Sequence, residues 1–119
     1  MMKKLVKWVE IPAENFDRAV GFYEKILNIN LEKIDCGNEK MACLPGDEGA
    51  ISYAEDFRPS SDGVLVSLDA GTDIDGMMRR IESAGGRIVR PKTKIEAEGR
   101  GFFALFTDSE GNRLGLYGE

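Results

Sequence analysis

One unit of sequence occurs twice in this chain, and that repetition limits what it can fold into. From Lys7 to Asn28 the residues read as a strand, a short turn and an amphipathic helix, and the same order returns from Val64 to Gly85. In the first copy Leu5 to Ile11 alternates and carries Val, Trp and Ile, which predicts a strand ending at Pro12. Asn15 is a good N-cap. Phe16, Ala19, Val20, Tyr23, Ile26 and Leu27 then keep the rhythm of one buried helix face, and Asn28 can take the left-handed conformation that closes the helix. In the second copy Val64 to Leu68 is the strand and Asp73 the cap. Ile74, Met77, Met78 and Ile81 form the apolar stripe, and Gly85-Gly86 is the stop.

Three further strands follow each helix. After the first they are Leu31 to Ile34, Lys40 to Leu44 and Ala50 to Tyr53, turning at Gly37-Asn38 and at Pro45-Gly46-Asp47. After the second, a strand starts at Arg87 to Val89 and a charged loop runs from Lys94 to Gly101. Phe102 to Thr107 and Arg113 to Tyr117 make a hairpin around Asp108-Ser109-Glu110-Gly111-Asn112. The halves superpose with an offset of about 58 residues, placing Phe16 on Ile74, Val20 on Met78, Tyr23 on Ile81 and Leu31 on Val89. The expected fold is therefore α+β with two tandem βαβββ modules in a single domain. Module one spans about residues 4–56, a polar linker about 57–63, and module two about 64–119. One helix per sheet leaves the other face of each sheet bare, and two bare faces can bury each other or enclose a pocket. By alternation, Val9 and Ile11 meet the helix and leave Trp8 and Glu10 on the inner face. Leu114 and Leu116 likewise leave Arg113, Gly115 and Tyr117 inside.

Charge and composition narrow the function. The net charge of −5 opposes nucleic acid, and the basic run Arg87, Arg90, Lys92 and Lys94 is answered at once by Glu96 and Glu98. No apolar run approaches the ~20 residues of a membrane span. Met1-Met2-Lys3-Lys4 carries charge without an apolar segment behind it, so no export signal is expected and the chain reads as cytoplasmic. Cys36 and Cys43 match no metal or redox spacing and read as free thiols. There is no histidine, which removes the commonest general base and the commonest transition-metal ligand together.

Glu-Ile-Pro-Ala-Glu-Asn-Phe-Asp-Arg-Ala-Val-Gly-Phe-Tyr (10–23), Pro-Lys-Thr-Lys-Ile (91–95) and Phe-Thr-Asp-Ser-Glu-Gly-Asn-Arg-Leu-Gly-Leu-Tyr (106–117) resemble segments of the vicinal oxygen chelate superfamily. This is the glyoxalase, bleomycin-resistance and extradiol-dioxygenase fold, and the nearest likeness is to small proteins related to lactoylglutathione lyase. The closing turn of that family is usually Asp-Pro-(Asp/Glu)-Gly-Asn, and Ser109 stands here for the proline. The resemblance implies a curved, incompletely closed barrel and a homodimer, with module swapping possible. In metal-using members four inward positions, typically two histidines and two glutamates, hold a divalent ion. Carried over by motif, those positions fall on Trp8, near Ser52, near Gly63 and on Gly115, so no metal or other cofactor is expected. Metal-dependent glyoxalase I and dioxygenase activities are both disfavoured, which leaves open whether the chain is an enzyme.

The remaining candidates are few. Glu10 is a carboxylate facing the expected cavity, where burial would raise its pKa toward that of a general base; it could equally pair with Arg113. Trp8 and Tyr117, with a phenylalanine from Phe102 to Phe106, could stack on a flat ligand or fill the core. Ser52 and Ser67 could orient a ligand or simply fit a narrow barrel. Lys94, Arg100 and their glycines could form a lid. Three functions stay open: a metal-free module binding a small hydrophobic or aromatic molecule, a metal-independent lyase or isomerase using Glu10, and a structural dimer with a vestigial cavity.

Overall fold

In the computed structural model, which describes residues 5–119, the chain runs β1 (Val9–Pro12), α1 (Phe16–Leu27), β2 (Glu32–Asp35), β3 (Lys40–Cys43) and β4 (Gly49–Tyr53). It continues as β5 (Ser67–Gly71), α2 (Ile74–Ser83), β6 (Arg87–Lys94), β7 (Phe102–Thr107) and β8 (Arg113–Gly118). The Met1-Met2-Lys3-Lys4 start, read above for export signals, lies outside the described residues. One sheet has the order β1-β4-β3-β2 and the other β5-β8-β7-β6, the same topology twice. In each, the first strand pairs in parallel with the last and the other pairs are antiparallel. These are two βαβββ modules of an α+β fold, and the barrel they outline is not closed.

Both helices begin and end as their sequences dictate. Asn15 accepts a hydrogen bond from the Arg18 backbone N–H at 3.1 Å, and Asn28 sits at φ 58°, ψ 45°. Asp73 caps α2 by accepting from the Gly76 N–H at 3.1 Å. The buried face of α1 is Ala19, Val20, Phe22, Tyr23 and Ile26. Phe22 lies off the stripe read from the sequence because α1 covers its own sheet and also touches the second module. Its ring meets Tyr23 edge-on at 5.0 Å and stacks over Phe106 of β7 at 6.4 Å. Gly86 makes room for it: a Cβ there would come within 2.8 Å of Phe22, of Ile81 and of the Thr107 carbonyl. Lys25 donates to the Ser83 carbonyl at 3.2 Å, and Arg80 donates to the Ile26 carbonyl at 3.1 Å. The helices thus share one core between both sheets, and no helix covers the opposite faces.

Strand limits differ from the sequence reading where a ladder partner is missing. β1 starts at Val9, which pairs with Gly49, and not at Leu5; Leu5 and Val6 are exposed. β5 starts at Ser67, which pairs with Gly115, and not at Val64. Ahead of it the linker lies along β8, with the Arg113 N–H donating to the Ser60 carbonyl at 3.3 Å and the Gly115 N–H to the Val66 carbonyl at 2.8 Å. β6 runs on to Lys94, and its register against β7 shifts twice. Val89 lies at the first shift and is exposed, whereas Leu31, its counterpart in module one, is buried.

The turn between β7 and β8 clamps the modules together. The Glu110 side chain is fully buried. Its Oε1 accepts from the backbone N–H groups of Glu14 (3.0 Å) and Asn15 (2.7 Å) and from Arg18 Nη2 (3.1 Å). Its Oε2 accepts from Arg18 Nε (2.7 Å) and Ser109 Oγ (2.8 Å). Asp108 Oδ1 accepts from the Glu110 and Asn112 N–H groups, while Oδ2 accepts from the Tyr23 hydroxyl at 2.6 Å and Asn112 Nδ2 at 2.9 Å. Asn112 Nδ2 also donates to the Pro12 carbonyl at 2.7 Å. Burial alone would raise the Glu110 pKa. Hydrogen bonds from Arg18, the Asn15 backbone and Ser109, with the Arg18 charge, outweigh it and hold the carboxyl below its usual range. Tyr23 is pushed well above its ordinary value, by burial first and then by the charge of Asp108 and the bond to it.

These shifts bound stability on both sides. The depressed Glu110 contributes stability that is complete above its unfolded pKa near 4.5 and is lost as pH falls through the lower folded value. Glu110→Gln should flatten that acid limb, measured as the urea midpoint against pH. Glu110→Ala, which also orphans the Glu14 and Asn15 donors, should cost about 3 kcal/mol at neutral pH. Tyr23, with its raised folded pKa, contributes stability that is complete below about 10 and is lost as pH rises through the folded value. Tyr23→Phe should abolish that alkaline limb while costing about 1–2 kcal/mol at neutral pH.

Candidate functional site

β1, an edge strand, and the segment that leads into β5 approach without hydrogen-bonding to each other among the described residues, and a gap remains between them. It opens as a cavity of about 360 Å³. One wall is β1 from Val9 to Pro12, another is the linker with Phe57, Arg58 and Val64, and the third is Asn112 to Leu114 at the head of β8. Two features of the sequence hold it open. Pro12 ends β1 on its free edge, where a missing N–H costs no ladder bond. The polar linker is tied at Ser60, whose N–H donates to Asn112 Oδ1 at 3.0 Å and whose carbonyl accepts from the Arg113 N–H at 3.3 Å.

Most of the wall is aliphatic or aromatic, and the charged groups are Glu10, Arg58 and Arg113. Glu10 is exposed in the chain rather than buried. Its Oε1 accepts a hydrogen bond from Ser52 Oγ at 2.8 Å, and Ser52 is itself 4% exposed. Glu10 and Arg113 line the same cavity, but among the described residues no ion pair joins them. Arg58 reaches only Glu14, at 3.9 Å and with both side chains largely exposed.

The sequence-derived candidates fall into two groups. Trp8, Glu10 and Ser52 belong to module one, where Val9 and Ile11 face the core and Glu10 bonds Ser52 across the bare face. Trp8 stands just before β1 and is 39% exposed. Ser67, Arg113, Gly115 and Tyr117 belong to module two, where Leu114 and Leu116 face the core. Ser67 is directly opposite Gly115, so close that a Cβ on Gly115 would meet Ser67 Oγ at 2.5 Å. Tyr117 is opposite Asp69 and is 37% exposed, beside a second hollow of about 420 Å³ bordered by Ser67, Asp69 and Glu119. Gly63 lies in the linker on the junction cavity, ahead of β5. The phenylalanines divide: Phe106 is core, while Phe103 carries the Arg90 guanidinium over its ring at 5.0 Å.

Tryptophan, serine and glycine do not fit the donor set of a divalent ion, and among the described residues no three His, Cys, Asp or Glu side chains come together as a metal cluster. Cys43 is a free, half-buried thiol and Cys36 a free, exposed one. Sequence reasoning missed Phe57, Arg58 and Asn112. Phe57 and Arg58 sit in an aperiodic linker and Asn112 in a turn, so no hydrophobic rhythm marks them; only the proximity of Arg58 to Pro59 signals a fixed loop.

Against known proteins, the profile of the Glyoxalase/Bleomycin resistance protein/Dioxygenase superfamily matches residues 5–116. An uncharacterised protein of Mycolicibacterium smegmatis is 30% identical over 112 residues, covering 94% of this chain and 91% of that protein. Among solved structures, a glyoxalase/bleomycin resistance protein/dioxygenase family enzyme from Burkholderia phytofirmans superposes with a TM-score of 0.72 at 13% identity, covering 95% of this chain and 97% of the other. A glyoxalase I mutant from Zea mays gives 0.69 at 22% identity; the match covers 93% of this chain and 44% of the maize chain. At such identities the superpositions speak for the fold alone. With the profile running from the approach to β1 through most of β8, the chain belongs to the glyoxalase/bleomycin resistance protein/dioxygenase superfamily.

Proposed function

We propose that this chain is a metal-free, ligand-binding member of its superfamily that holds a small hydrophobic or aromatic molecule in the cavity between its modules. The observation that carries the reading is the junction cavity. Its volume of about 360 Å³ lies within the roughly 300–1,000 Å³ common for ligand pockets, and its wall is apolar apart from a few polar groups at fixed positions. The residue types at the positions expected for metal ligands support the metal-free half of the proposal. The reading includes a homodimer, for which Trp8, Ile34 and Tyr117, exposed outside the shared core, offer apolar surface.

One observation favours a second reading, a metal-independent lyase or isomerase with Glu10 as base. Glu10 borders the cavity and, among the described residues, has no cationic partner and no partner at Oε2, while Oε1 is held by Ser52. A base fixed through one oxygen and open at the other is oriented for proton transfer to a bound carbon acid.

Native mass spectrometry with elemental analysis on untagged protein is the first test. The expected result is a dimer without stoichiometric divalent metal, carrying a small-molecule adduct; a full complement of metal would overturn the proposal. The Glu10 contact can be read separately. Glu10→Ala strips the buried Ser52 hydroxyl of its acceptor and should cost about 1–2 kcal/mol in urea unfolding, whereas Glu10→Gln keeps an acceptor and should cost much less. If Glu10 is the base, Glu10→Gln still abolishes turnover of any substrate the adduct reveals.

A further inference from the structure

The junction cavity also carries information about the head group of what it binds. On the reading that the cavity holds a small molecule, we infer that the ligand is an apolar monocarboxylate, its carboxylate held at the mouth by Arg113 and Arg58 and its apolar body lodged between the modules. Three charged side chains reach this cavity, two guanidiniums and one carboxylate. The carboxylate of Glu10 keeps its charge while bonded to Ser52 and forms no ion pair with Arg58 or Arg113, so two guanidiniums stand against one carboxylate on the cavity wall. Arg113 has no ion-pair partner among the described residues, and Arg58 has only the long contact to Glu14 at 3.9 Å. Positive charge is therefore in surplus at the cavity.

The other polar groups on the wall are partly used. Asn112 spends its amide on the Pro12 carbonyl and Asp108, and its oxygen on the Ser60 N–H. Ser60 Oγ accepts from the Asp62 N–H at 3.0 Å. What remains for a ligand is Glu10 Oε2, the Ser60 hydroxyl proton and the two guanidiniums, and the forked, planar guanidinium donors match two carboxylate oxygens better than any neutral acceptor. The depth of the wall matches the other end of such a molecule. Val9, Ile11 and Leu114 lie beside the shared core, while Arg58 and Arg113 are exposed. A ligand so oriented buries its apolar part and leaves both guanidiniums in contact with water, so the ion contact carries little desolvation cost.

Benzoate, benzamide and benzylammonium separate head-group recognition from apolar burial, because they share a ring and differ in charge. Each is titrated into the full chain at up to roughly millimolar concentration, with binding followed by amide chemical shifts along β1 and Asn112 to Leu114 and by calorimetry. Benzoate should bind about tenfold or more tightly than benzamide, and benzylammonium no better than benzamide. Arg113→Met should bring benzoate to the level of benzamide and leave benzamide unmoved, and Arg58→Met, on the linker, should do so in part. If benzamide or benzylammonium matches benzoate, or if neither variant weakens benzoate, the carboxylate inference fails while the small-molecule reading stands. If none of the three shifts the cavity residues, the small-molecule reading fails with it.

Discussion

The buried carboxylate of Glu110 is the contact on which the arrangement of this molecule depends. It lies in the last turn of the chain, yet its partners are the first residues of α1 in the other module. An acidic group at a helix N-terminus is favoured by the free N–H groups there and by the helix dipole. Here the acid that supplies this comes from the far end of the chain. Helix capping, which is ordinarily local, thus becomes the bond between halves. Asp108 does the same through the Tyr23 hydroxyl, and Asn112 through the end of β1. A charged group enclosed in this way is stable only with all its donors in place, so the turn tolerates little relative motion of the modules.

That clamp explains where the cavity lies. Asn112 bonds the Pro12 carbonyl on one side and the Ser60 N–H on the other, so β1, the linker and the head of β8 are all fixed to one side chain. Below it the shared core is sealed by Phe22, Phe106 and Gly86. Beside it β1 is a sheet edge and the segment before β5 joins no sheet, so no ladder closes the gap between them. The gap is thus a consequence of joining two complete modules by a side-chain clamp instead of by a shared ladder.

The repeat was legible because it rests on periodicity. The α1 stripe, the Asn15 and Asp73 caps, Asn28 and the final hairpin all come from local rules, and all stand in the structure. What local rules miss is pairing. Leu5 to Trp8 alternates like a strand but has no ladder partner, and Val64 to Val66 is apolar yet lies along β8 without joining a sheet. Phe22 breaks the stripe of α1 because its contact is to the other module. The closing turn was legible as a family feature, but its role as a clamp was not, because the sequence shows the acid and gives no sign of the helix start it reaches. In the same way Glu10 reads as a cavity carboxylate, while its bond to Ser52 depends on the register of β1 against β4.

The two groups of candidate residues follow from the shared core. The bare face of module one carries Trp8, Glu10 and Ser52 and that of module two carries Ser67, Gly115 and Tyr117, and the two meet at the junction, where Glu10 and Arg113 line one cavity. Each face is half a barrel. Trp8 and Tyr117 stand on these faces 39% and 37% exposed. All three walls of the junction cavity come from one chain. Only Glu10 and Arg113 belong both to the bare faces and to the cavity. Any molecule bound at the junction would therefore touch one charged side chain from the bare face of each module.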